Sequence, residues 1–228
     1  MNTDESSTTV IELTLDSGTT CIGELRAVES PQAVCLLLHD RHADIDHMRT
    51  LADSVVRYSM TALLIDLPGH GLSDGDLEAD GASALDLAMG YSTTVARPLC
   101  IIAEGSSADL LLRSEPSVLV AAYALVSPRS DITDDEFCAS PWMSTPSITV
   151  LDPHDAVAAA VAALVARRTR GAAVRVFAHK IGKLGSGRAS WPLQTAQSSA
   201  QFLAEHAAFS RASQPANPYE SVTPGGAE

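Results

Sequence analysis

Aromatic residues are scarce in this 228-residue chain, where Phe, Trp and Tyr together make up 4%. A core with so few large rings has to be built from small aliphatics, and Ala and Val are abundant. Basic residues are few as well. Fifteen Lys and Arg stand against 28 Asp and Glu, for a net charge of −13 and a pI near 4.8. That balance argues against nucleic acid and anionic membrane surfaces as partners. It also disfavours polyanionic substrates, unless a local basic pocket exists. The densest basic cluster, Arg167, Arg168 and Arg170, reads as a solvated helix end. Cysteine is limited to Cys21, Cys35, Cys100 and Cys138, without paired spacing. Cys35 and Cys100 lie in apolar runs, where a thiol packs as a small hydrophobe. This suits a reducing compartment better than a disulfide framework. No apolar run approaches the ~18–20 residues of a membrane span. The opening MNTDESSTTV has no charged-then-apolar signal pattern. The expected location is cytoplasmic, and there are no internal repeats.

Hydrophobic residues make up 46% of the chain and charged residues 19%, an ordinary balance for one globular domain of this length. Residues 10–28 alternate apolar and polar around Asp16-Ser17-Gly18, a hairpin pattern. The continuous apolar runs at 33–39, 61–66, 98–105 and 118–126 read as strands buried on both faces. SITVLD (147–152) and AAVRVFAH (172–179) add two more. Helical spacing falls between them, at 44–59, 79–95, 107–113, 156–169 and about 191–209. Strand alternating with helix after an opening hairpin predicts an α/β fold: a mostly parallel sheet with an N-terminal antiparallel hairpin and helices on both faces. The expected division is a disordered N-terminus at 1–9, one domain at 10–212 and a disordered Pro/Gly/Ser-rich tail at 213–228. Residues 127–146 are too few for a large cap domain. They read as a flap over a pocket or as a surface loop with two buried anchors, drawn from Phe137, Trp142 and Met143. Sites in such sheets lie at the carboxyl ends of strands, so the loops after 39, 66, 104, 127, 152 and 178 matter most.

The segment IDLPGHGLSDG (65–75) resembles the D-x-x-G-x-G-x-S stretch after the fourth strand of the α/β-hydrolases. LLLHD (36–40) is similar to that family's oxyanion stretch, with Asp40 following His39 where glycine is usual. VLDPHDAV (150–157) resembles the acid loop and VRVFAHKIG (174–182) the histidine loop. The resemblance, which covers roughly residues 10–210, implies Asp155 as the acid and His179 as the base. It also implies a small-x-nucleophile-x-small elbow, usually G-x-S-x-G. Here the strand PLCIIAEG leads into Ala103-Glu104-Gly105-Ser106-Ser107, and Gly105 takes the nucleophile slot in the register with small flanks. Ser106 and Ser107 are the alternatives, each with one unsuitable flank.

Three chemistries remain open. Ser106 could carry acyl transfer from a displaced position. A His179–Asp155 dyad could move protons without a covalent intermediate. The site could also be catalytically inactive, as in a pseudo-hydrolase that binds a ligand or partner protein. His39, Asp40, Gly105 and Ser107 are the expected oxyanion and pocket residues. A carboxylate at Asp40 would oppose a developing oxyanion, and that residue is read either as a base or as solvent-facing. Asp155 has a plainer reading as N-cap of the following helix. The crowded His42-x-Asp44-x-Asp46-His47 is similar to a metallo-hydrolase motif, but it falls at a helix start, and no metal or cofactor is expected. The expected partner is a small, largely neutral organic molecule.

Overall fold

The computed structural model describes residues 7–152, 154–169, 173–176 and 193–213. Among these residues, eight strands form one sheet: β1 (Ser7–Thr14), β2 (Thr20–Ala27), β3 (Ala33–Leu38), β4 (Met60–Ile65), β5 (Leu99–Glu104), β6 (Val120–Val126), β7 (Ser147–Leu151) and β8 (Ala173–Val176). Their spatial order is β1-β2-β4-β3-β5-β6-β7-β8. The hairpin β1–β2 and the β2–β4 pair are antiparallel, and every later pair is parallel. Every residue of β3, β4 and β5 is buried, which accounts for their unbroken apolar runs.

Among the described residues, six α-helices pack around the sheet: α1 (Ile45–Arg57), α2 (Leu77–Val95), α3 (Ser107–Arg113), α4 (Asp134–Ala139), α5 (Ala156–Arg168) and α6 (Leu193–Ser213). Strand side chains alternate between two cores. Leu36, Leu63, Ile101, Tyr123 and Leu125 pack with residues of α2, α3 and α5. Cys35, Leu37, Leu64, Cys100 and Ile102 pack with residues of α1 and α6. Cys21, Cys35 and Cys100 are free and buried, and burial pushes the Cys100 thiol up to about 12. The 127–146 segment is the anchored loop and carries no cap domain. Phe137 and Trp142 are fully buried, while Met143 stays 38% exposed. Trp142 Nε1–H donates to the Ser114 carbonyl at 3.0 Å.

Register places the site. Leu38 at the end of β3 lies opposite Ala103 on β5, so residues 39–41 emerge beside 104–106 at one sheet edge. This is the carboxyl edge, where the order of a doubly wound sheet brings ligand-binding loops together.

Candidate functional site

The loop after β4 explains its own sequence. Asp66 Oδ1 accepts from Ile45 N–H at 3.0 Å and Asp66 Oδ2 from Leu72 N–H at 3.1 Å. Gly71 has φ +54°, and a Cβ there would overlap the Asp66 carboxylate. Ser73 Oγ–H donates to Asp66 O at 2.7 Å and its oxygen accepts from Ile22 N–H at 2.8 Å, tying the loop to β2. Each fixed residue of the D-x-x-G-x-G-x-S segment therefore shapes backbone. The neighbouring His39 is fully buried. Its Nε2 accepts from Leu67 N–H at 3.0 Å, which assigns the proton to Nδ1, facing Asp40 O at 2.7 Å. Burial lowers its pKa, so His39 is a neutral bracket between two loops.

At the turn from β5 into α3, Gly105 adopts φ +58°. A Cβ at this position would overlap the Asp40 carboxylate and lie 2.8 Å from Asp40 Cβ. Asp40 Oδ1 accepts from both Ser106 N–H and Ser106 Oγ–H, each at 2.7 Å. Arg41 N–H donates to Ser106 Oγ at 3.0 Å. Asp40 is 1% exposed. The expectation of a solvent-facing Asp40 is thus corrected: parallel pairing of β3 with β5 turns it inward onto the elbow. Burial works to raise its pKa, but the Ser106 and Arg41 hydrogen bonds and the Arg129 charge outweigh it. The carboxyl is held below its usual range. An ionised, saturated carboxylate of this kind is a weak base at neutral pH.

Ser107 is buried, and its Oγ–H is shared between Leu38 O at 3.0 Å and Glu104 O at 2.7 Å. It joins strand to helix and is not among the residues that line the cleft described below. Glu104 is also buried and meets His47 Nε2 at 3.0 Å. The Glu104 hydrogen bond raises the His47 pKa against the opposing effect of burial. Asp44 N-caps α1 by accepting from Asp46 N–H at 3.0 Å. Asp155 Oδ1 caps α5, accepting from Val157 N–H at 3.1 Å and Ala158 N–H at 3.0 Å. His179 lies outside the described residues.

An open cleft of about 850 Å³ leads down to Ser106. Arg41, Arg129, Arg113, Leu77, Leu110 and Val157 are among its lining residues. Sequence reasoning missed both Arg41 and Arg129, because nothing in their local context distinguishes them from surface arginines. Arg129 N–H donates to Gly105 O at 2.8 Å, which binds the loop after β6 to the same elbow.

No family model and no curated protein matches the chain. Solved structures do. Est1E from Butyrivibrio proteoclasticus, with ferulic acid bound, superposes at TM-score 0.68 with 12% identity, covering 87% of this chain and 99% of that one. Dienelactone hydrolase from Anabaena variabilis gives 0.67 and 14%, covering 88% and 96%. This is the α/β-hydrolase fold. A predicted CIB-like hydrolase from Thermoplasma acidophilum also gives 0.67 and 14%, covering 87% and 100%.

Proposed function

We propose that this chain is an α/β-hydrolase-fold protein that binds a small organic molecule at the β5–α3 elbow and does not form an acyl-serine. One observation carries the reading: Asp40 Oδ1 accepts both hydrogen bonds of Ser106, and its carboxylate fills the space over Gly105. In this fold the nucleophile is the elbow residue with positive φ, and the following N–H helps to hold the oxyanion. Gly105 has the positive φ and no side chain, and the following N–H, that of Ser106, is already neutralised by an internal anion. An acyl intermediate at Ser106 would develop negative charge against Asp40, which opposes it electrostatically. The buried free thiols support a cytoplasmic setting.

The test is hydrolysis of p-nitrophenyl acetate and butyrate by the purified chain and by Ser106→Ala. The expected result is no turnover above a matched protein blank in either. Turnover that disappears in Ser106→Ala would sink the proposal.

A second reading keeps catalysis without acylation: a His179–Asp155 pair moving a proton on a ligand in the cleft. What supports it is the chain order, an aspartate after β7 and a histidine after β8, in a fold whose neighbours include esterases and a dienelactone hydrolase. It requires a turnover whose pH profile changes in His179→Ala and Asp155→Ala.

A further inference from the structure

We infer that the cleft takes a small amphiphilic organic carboxylate, with its acid group on Arg41 and Arg129 and its apolar body along Leu77, Leu110 and Val157. The inference specifies the ligand of the non-acylating site and rests on that reading.

The first ground is convergence. Arg41 and Arg129 come from different loops, after β3 and after β6, yet their backbone N–H groups bond to consecutive elbow residues: Arg41 to Ser106 Oγ at 3.0 Å and Arg129 to Gly105 O at 2.8 Å. Both residues line the one cleft.

The second ground is charge. Arg113 is also in the lining, but its guanidinium is fully engaged: Nε lies 2.8 Å from Asp109, Nη1 lies 2.8 Å from Glu136, and Nη2 contacts Asp131. That network commits Asp109 and Asp131 to the wall. Arg41 and Arg129, by contrast, make no ion pair within 4.0 Å among the described residues. Two such cations on one cleft are conspicuous in a chain of net charge −13. Asp40 lies beneath Ser106 at 1% exposure, its charge met by two hydrogen bonds from Ser106 and offset in part by the Arg129 charge. Glu78, at the α2 side of the lining, is the remaining carboxylate of the wall.

The third ground is the apolar side. Leu77 and Leu110 are half-buried and Val157 is 54% exposed on the lining. That surface favours an organic body over an inorganic ion. The acidic field of the whole molecule penalises each added negative charge, which selects a monoanion over a dianion. A planar carboxylate matches the guanidinium fork.

The experiment is isothermal titration of the full chain at low salt and pH 7.5 with 4-phenylbutyrate, 4-phenylbutyramide and acetate. The expected result is binding of 4-phenylbutyrate, with the neutral amide and the truncated acetate each about tenfold weaker or more. Arg41→Gln and Arg129→Gln should each weaken 4-phenylbutyrate about tenfold. Both side chains are exposed, so the variants keep the wild-type unfolding midpoint. Equal affinity for acid and amide overturns the inference, as do unchanged affinity in both variants and absence of binding by 4-phenylbutyrate. None of these touches the non-acylating reading, which fails through Ser106-dependent ester turnover or covalent labelling of Ser106.

Discussion

At Gly105 the backbone turns through φ +58° and the Asp40 carboxylate takes the room a side chain would need. The two positions are complementary, and their energetics should be coupled. Gly105→Ser alone is expected to cost about 2–3 kcal/mol, from positive φ and from overlap with Asp40. Asp40→Gly should relieve most of the overlap, giving a favourable coupling of at least about 1 kcal/mol in a double-mutant cycle by urea unfolding. The Asp40–Ser106 pairing was not legible in the sequence. It spans 66 positions and depends on which strands are neighbours, whereas Gly105 at the elbow was readable from the small residues around it. A second residue-scale expectation concerns His47, whose pKa is raised by Glu104. A raised folded-state value means that the pair's stabilisation is fully present below the unfolded value of about 6.5 and is lost as pH rises through the higher folded value. His47→Gln should therefore destabilise by about 1 kcal/mol at pH 6 and by less at pH 9, read as urea midpoints.

Among the elements, helix ends decide between structural and chemical roles. Asp155 has two cap hydrogen bonds on α5, so Asp155→Ala is expected to lower stability by about 1 kcal/mol in chemical unfolding. If the cap is its whole role, ligand affinity in the cleft stays at the wild-type value. The elements themselves were largely legible, since strands buried on both faces leave continuous apolar runs and α3 coincides with residues 107–113. Boundaries shifted where caps were overlooked. The spacing places α2 from 79, but Asp76 accepts from Glu78 and Ala79 N–H and the helix starts at Leu77. In the 127–146 segment two anchors were expected, and Trp142 and Phe137 fill that role because each lies wholly in the core. Trp142→Ala should cost about 3–5 kcal/mol in unfolding free energy.

For the whole molecule, alternating periodicities identify a parallel sheet, but they do not say which loops share an edge. The order β4-β3-β5-β6 supplies that information: it brings residues 39–41, 105–106 and 129 together from three loops. The cleft arginines come together through the same order, which composition alone does not reveal. No helix among the described residues is long and apolar enough to cross a membrane. The central claim is that an internal carboxylate occupies the elbow and that no serine there is nucleophilic. Intact-mass spectrometry after incubation with a fluorophosphonate tests it most directly. The expected result is an unmodified wild-type chain under conditions that fully label a serine esterase. A single phosphonyl adduct mapped to Ser106, absent in Ser106→Ala, would contradict it.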